Sequence, residues 1–254
     1  MPVTSTRAPR PITFQTDIYD KVLALLHERP GDRVLDLGAG EGYLCRQLKD
    51  EGVEVEACDF VAEQFRCPDI PFTKADLNLP LPYPDEAFDC VVSVEVIEHI
   101  ENHFTFVREL LRVTRPGGRV IITTPNICSL SSRWHEFLYG TNDCAPLPLD
   151  PRQPDYYLQH INPIGLPQLL FHLERFGAVL ERLTTNRLRH GSLLLLPLYP
   201  LLALALRRKL LRSRHRARRD LHGRHLRWML SPANLLGRIT IAVAVKLAAP
   251  AAEA

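Results

Sequence analysis

The run Val34-Leu-Asp-Leu-Gly-Ala-Gly-Glu-Gly42 joins a short apolar strand to three glycines at alternate positions, Gly38, Gly40 and Gly42. Glycine lets backbone approach a ligand closely, and the first strand-to-helix turn of an α/β sheet is where such a ligand sits. The GxGxG spacing is not the GxGxxG of a dinucleotide site, and Asp36 stands two residues before the first glycine. A carboxylate there suits a cationic ligand group better than a pyrophosphate. Acids recur at the ends of the next two expected strands, Asp59 and Asp76, where they can accept hydrogen bonds from ribose hydroxyls. Plainer readings stand beside these: glycines that only mark a tight turn, and aspartates that only cap helices.

The elements needed to hold those residues are legible in the patterning. Ile18, Val22, Leu25 and Leu26 have helical spacing ahead of Pro30-Gly31. Strands follow at RVLDL, VEVEACD and PFTKADL, with GYLCRQLKDEG an amphipathic helix between the first two. AFDCVVSVEVIEHI contains the near-continuous apolar run of a central parallel strand. A helix closed by Pro-Gly-Gly and a fifth strand, RVIITTPN, come next. Alternation of strand and helix from residue 33 to 124 predicts a parallel sheet with helices on both faces. Beyond Asn126, residues 140–167 are proline-rich and suit a lid over the carboxyl edge of the sheet. LPQLLFHLERFG, AVLERLTT and GRITIAVAVKLA then read as helix, strand and final strand, with residues 190–236 an insertion between the last two strands.

Three acids at successive strand ends describe an adenosine-like ligand with a positive tail, and S-adenosylmethionine meets that description. With VLDLGAGEG, ADLNLPLP, FDCVVSVEVIEHI and LLRVTRPGGRVIITTPN in this order, the chain resembles the class I S-adenosylmethionine-dependent methyltransferases. The likeness runs from about residue 12 to 186 and resumes over 238–247. It implies an α/β fold: a doubly wound, mostly parallel seven-stranded Rossmann-like sheet, here with a helical insertion before an antiparallel last strand. By that likeness Asp36, Gly38, Gly40 and Gly42 hold the methionine moiety, Asp59 the ribose, and Asp76 with Leu77 the adenine. Ser93 and Glu95 flank the sulfonium region, and Glu98-His99 either fixes the turn after strand four or faces the substrate. Residues 12–254 are expected to be one methyltransferase domain behind a disordered lead-in over 1–11.

Methyl transfer from a sulfonium needs an aligned acceptor lone pair and exclusion of water, and a hydroxyl acceptor also needs a base. His160, His135 and His99 are candidates, and His160, just past the proline-rich stretch with Tyr156 and Tyr157 near it, is favoured for catalysis. The bland alternative is a histidine that caps the next helix. Asn126, at the end of strand five, is expected to hydrogen-bond the acceptor. No metal cluster stands out, so no metal site is expected.

The insertion holds SLLLLPLYPLLALALRRKLLRSRHRARR. Net charge is only +2, yet ten basic residues face one acid between Arg207 and Arg227, a local +9 that leaves about −7 elsewhere. The apolar part, interrupted by Pro197 and Pro200, is shorter than the about 20 residues of a membrane span. Leucines beside arginines, over 193–219, suggest an interfacial element on an anionic membrane surface. A solvated charged face is the plainer reading, and nucleic acid is disfavoured because aromatics are not interleaved. Six cysteines without a CxxC pair, and a start without an apolar targeting run, point to reduced thiols and a cytoplasmic protein, peripheral at the inner membrane face. The expected acceptor is a small or lipid-linked molecule methylated on oxygen. Alternatives are an RNA or protein methyltransferase docking through the basic insertion, and a non-catalytic module that keeps the cofactor fold.

Overall fold

The computed structural model describes residues 16–28, 33–143, 149–150, 152, 158–212 and 216–248. Seven strands form one sheet in the order β3-β2-β1-β4-β5-β7-β6: β1 Arg33–Leu37, β2 Glu54–Asp59, β3 Phe72–Lys74, β4 Phe88–Val94, β5 Thr114–Pro125, β6 Ala178–Thr184 and β7 Ile239–Lys246. The first five run parallel, and β7 is antiparallel to both neighbours. The seven-stranded, mostly parallel α/β sheet expected from the sequence is thus the observed one.

Side-chain alternation explains why both faces are covered. Leu35, Leu37, Val91, Val120 and Ile122 enter one core cluster, under α3 (His103–Val113) and α5 (Leu166–Arg175). Val34, Val92, Ile121, Ile241 and Val243 enter the other, under α1 (Thr16–His27) and α2 (Tyr43–Asp50). Successive residues of a strand point to opposite faces, so unbroken apolar runs must be buried on both. Asp36 lies on the α1–α2 face between two apolar neighbours. The buried Arg119 donates through Nη1 to the carbonyl of Leu25 (3.0 Å), fastening the last turn of α1 to that face.

Two boundaries differ from the sequence reading. β3 stops at Lys74, so Asp76 stands in the turn beyond the strand rather than closing it. Residues 127–139 carry an element the sequence pattern did not reveal: α4, Leu130–Tyr139, starts where Ser129 Oγ accepts from Ser132 N (3.1 Å). The helix is short and its aromatic residues are exposed, so it shows little of the apolar stripe that marks a core helix.

Between β6 and β7 the chain leaves the sheet and returns at one point. Leu188 bridges Gly237, Arg189 N donates to Leu236 O (2.7 Å), and Arg238 N donates to Arg187 O (2.9 Å). Between those ties lie α6 (His190–Leu194), α7 (Tyr199–Leu211), α8 (Arg216–Met229) and α9 (Pro232–Leu236). No described helix is long and apolar enough to cross a membrane.

Candidate active site

The glycine turn is fastened from below and open above. Gly38 N and Ala39 N both donate to Cys58 O, at 2.8 and 3.2 Å, so β2 carries the turn. Gly38, Gly40 and Gly42 have φ of +87°, +54° and +86°, a region that costs a residue with a Cβ about 1–2 kcal/mol. At Gly38 a Cβ would also collide with the Val96 side chain, whereas at Gly40 it would meet nothing within 4 Å. Gly38 is therefore demanded by packing, and Gly40 presents bare backbone to open space. Asp59 accepts from Gly40 N at Oδ2 (2.8 Å) and from Val61 N at Oδ1 (2.9 Å), which aims its carboxylate at the same turn. Asp76 forms a local turn, with Oδ1 accepting from Asn78 N (2.9 Å) and Nδ2 (3.1 Å). Leu77 beside it is buried in the α3–α5 core.

Above the ends of β1 and β4 sit two carboxyl groups at odds with their surroundings. Asp36 is 3% exposed and accepts a hydrogen bond from the Cys45 thiol (3.2 Å). Burial raises its pKa to about 7; the Cys45 bond opposes that and the Asp59 charge adds to it. Glu95 is held at φ +55° by a reciprocal pair of bonds: its N–H donates to Thr123 Oγ1 (3.0 Å), and that hydroxyl donates to its Oε1 (2.8 Å). Burial likewise raises the Glu95 pKa, against the pull of its own Thr123 bond and of Arg238. Tyr19 of α1 feels both acids: burial, then Asp36, then Glu95 push its phenol upward. The buried Ser93 hydroxyl has no hydrogen-bond partner among the described residues. Desolvated acids of this kind gain by pairing with a cation. An α-ammonium and a sulfonium are cations, and the aspartates behind the turn suit ribose hydroxyls, so the residues present fit S-adenosylmethionine.

His160 is brought to the same edge. Its Nε2 lies 4.0 Å from Oε1 of the fully buried Glu98, and its ring meets that of His99 edge-on at 4.9 Å. Glu98 is anchored by Thr124 Oγ1, which donates to Oε2 (3.0 Å), while Oε1 has no hydrogen-bond partner among the described residues. Burial drives the Glu98 pKa well up, and the Glu95 charge adds to it. His99 Nδ1 and the Gln159 carbonyl are 3.0 Å apart, and Asn162 N donates to Glu98 O (3.0 Å), which joins the loop bearing His160 to the turn after β4. Glu98-His99 thus both shapes that turn and touches His160. Each of Glu98, His99 and His160 offers a ligand atom within 4.8 Å of the others, a grouping that sequence spacing did not suggest because 61 residues separate His99 from His160.

One assignment is corrected. Asn126 is 1% exposed and its amide is committed to backbone: Nδ2 donates to the carbonyls of Ala233 (3.3 Å), Asn234 (2.8 Å) and Gly237 (3.0 Å), and Oδ1 accepts from Cys128 N (2.9 Å). It staples the end of β5 to α9 and the start of β7, with no amide hydrogen left for an acceptor. His135 lies on α4, its Nδ1 3.0 Å from Thr141 O. Tyr156 and Tyr157 lie outside the described residues, as do parts of the proline-rich stretch and the lead-in. The sequence reading missed Tyr19, Thr123 and Thr124. The polar tip of Tyr19 on an otherwise apolar helix face was the one available signal.

A family model described as a methyltransferase domain matches residues 35–122, the segment that contains the glycine turn, Asp59, Asp76, Ser93 and Glu95. Over that segment the chain is similar to a methyltransferase domain, in line with its resemblance to the class I S-adenosylmethionine-dependent methyltransferases. Over 105 residues, 39% of this chain and 43% of that protein, it is 43% identical to demethylmenaquinone methyltransferase of Beutenbergia cavernae. The counterpart in Corynebacterium urealyticum is 36% identical over 115 residues, 43% of this chain and 50% of the relative. The chain thus spans half or less of the length of these curated relatives. A solved S-adenosylmethionine-dependent methyltransferase from Mesorhizobium loti superposes with a TM-score of 0.55, covering 91% of this chain and 98% of its own. Its 17% identity makes that a likeness of fold alone.

Proposed function

We propose that the protein transfers a methyl group from S-adenosylmethionine to a small, lipid-soluble acceptor, at a hydroxyl oxygen, at an anionic membrane surface facing the cytoplasm. The observation that carries the reading is the convergence on one sheet edge of the glycine turn, the buried Asp36 and half-buried Glu95, and the Glu98–His160 pair. Asp36 and Glu95 take the cationic methionine end, Asp59 the ribose, Asp76 and Leu77 the adenine, with Gly38, Gly40, Gly42 and Ser93 lining the approach. The cofactor supplies a methyl group on a positively charged sulfur, a leaving group that needs no protonation. The remaining task is to hold an acceptor oxygen in line and remove its proton. His160 is positioned to take that proton, and Glu98 beneath it steadies the imidazolium that forms. The relatives named for demethylmenaquinone support a small, lipid-soluble acceptor for this chain too. The exposed leucines and basic residues of the insertion support a membrane surface as the place of reaction.

Two measurements test this. Calorimetric titration with S-adenosylmethionine is expected to show one-to-one binding that Asp59→Ala weakens; absent binding by the wild type sinks the reading. Tritiated-methyl transfer into fractionated cell extract is expected to label the lipid fraction and to fail with His160→Ala. Label in RNA or protein instead would favour docking of a macromolecule through the basic insertion.

A further inference from the structure

The leucine-rich insertion does not stand alone at the surface. α4 rises from the carboxyl end of β5, five residues after Pro125, and exposes Trp134, Phe137, Leu138 and Tyr139 along its length. Phe137 is 77% exposed, and Trp134 stacks with it at 5.7 Å rather than with the core. α4 is locked to the start of the insertion. Ser131 N donates to Ser192 Oγ (3.2 Å), and the Arg189 guanidinium bonds both Ser132 Oγ (3.1 Å) and Asp143. A Cβ on Gly191 would lie 3.0 Å from Ser131 Oγ, so α4 and α6 meet closely there. Trp134 and Leu138 lie one and two turns beyond Ser131, on the side of α4 that meets α6.

From α6 through most of α7 the large exposed apolar residues are leucines, at 193, 194, 196, 198, 201 and 204, with Leu194 82% exposed. The exposed basic residues Arg207, Arg208, Lys209 and Arg212 follow at the far end of α7. Apolar and cationic character are therefore separated along the axis of α7 rather than around it. A helix lying flat on a bilayer separates them around its axis. Lengthwise separation suits a tip that dips into the acyl region while its basic end meets anionic headgroups. Contiguous exposed apolar surface on this scale marks an interaction site, and the adjoining cations select an anionic bilayer as its occupant.

Resting on the lipid-surface reading above, we infer that α4 and residues 193–204 form one bilayer-inserting platform. The platform stands beside the carboxyl edge of the sheet that bears the candidate site, so a lipid-soluble acceptor enters from the membrane past α4. His160 lies near this entrance, because the loop that bears it packs through Gly165 against Ile127 and Cys128, the turn leading into α4.

The test uses the full chain and vesicles of phosphatidylcholine with phosphatidylglycerol, some carrying brominated acyl chains. Trp134 and Trp228 are the chain's two tryptophans, so Trp228→Phe leaves Trp134 as the sole reporter. Bromine is expected to quench Trp134 in pelleted protein, and Phe137→Ser is expected to lower vesicle partitioning about tenfold, the worth of one buried phenyl ring. Pelleting with Trp134 unquenched, or undiminished partitioning of Phe137→Ser, overturns the α4 platform while the lipid-surface reading stands. No pelleting with anionic vesicles overturns both. A variant with Arg207, Arg208 and Lys209 changed to Gln separates the contributions, since it should weaken binding at low salt yet leave quenching of the bound fraction intact.

Discussion

Asp36 offers the sharpest quantitative consequence of the site. Its carboxyl group titrates near pH 7 in the free protein because burial strips it of water, and Cys45 alone bonds it among the described residues. A cationic ligand end binds the ionised form, so affinity must rise with pH until Asp36 is ionised without help. For a single group of that pKa the apparent dissociation constant scales as one plus the ratio of protonated to ionised acid. Between pH 5.5 and 7.5 this predicts a tightening of about 25-fold, close to 1.9 kcal/mol. Glu95, raised for the same reason at the same edge of the sheet, steepens the curve further. Titration calorimetry with S-adenosylmethionine, repeated in buffers of different ionisation enthalpy, reads both the affinity and the protons released. Near pH 6 binding is expected to release about one proton or more. Asp36→Asn should bind weakly with a flatter profile. An affinity constant within about twofold from pH 5.5 to 7.5, with no proton release, would refute the reasoning, because desolvated acids could not then be the cation's partners.

Other outcomes follow from the same geometry. In the free protein Asp36 binds a proton more readily folded than unfolded. Its contribution to stability is therefore full below about pH 4 and is lost as pH rises through 7, so the midpoint of thermal unfolding should fall over that window less steeply in Asp36→Asn. Asn126→Ala removes the amide bonds to Asn234 O, Gly237 O and Cys128 N, while Ala233 O keeps Gly237 N, and should cost about 2–4 kcal/mol in denaturant unfolding. A stable Asn126→Ala that binds cofactor but cannot transfer methyl would restore a catalytic role for Asn126. Asp59→Ala removes a charged acceptor from Gly40 N and Val61 N and should weaken cofactor binding about 10- to 100-fold in the same calorimeter. Gly38→Ala must displace Val96 as well as strain the backbone, whereas Gly40→Ala strains only the backbone; circular-dichroism melts should show Gly38→Ala the less stable.

Much of this protein could be read along the chain. Unbroken apolar runs at β1, β4 and β5 require burial on both faces, and only a parallel sheet with helices on each side provides it. Glycines at alternate positions, followed by an aspartate at the end of β2, mark the turn proposed to hold the cofactor, because backbone bends and strand ends are local properties. The last strand and the insertion before it were also legible, from a return of apolar residues after a basic stretch, while the antiparallel direction of that strand came only from the family resemblance. What adjacency in space creates was not legible. Asp36 becomes a titrating group near neutrality because α1 and α2 close over it. Glu98 meets His160 only because the later part of the proline-rich stretch folds back on the turn beyond β4, 62 residues distant. Asn126 looks like a substrate ligand in sequence, yet α9 and β7 arrive from more than 100 residues away to consume its hydrogen bonds. Residue type and spacing thus determined which groups this protein owns and which strand end each occupies. Tertiary packing alone decided which of them lose water, and desolvation is what turns a carboxyl group into a cation trap or an amide into a staple.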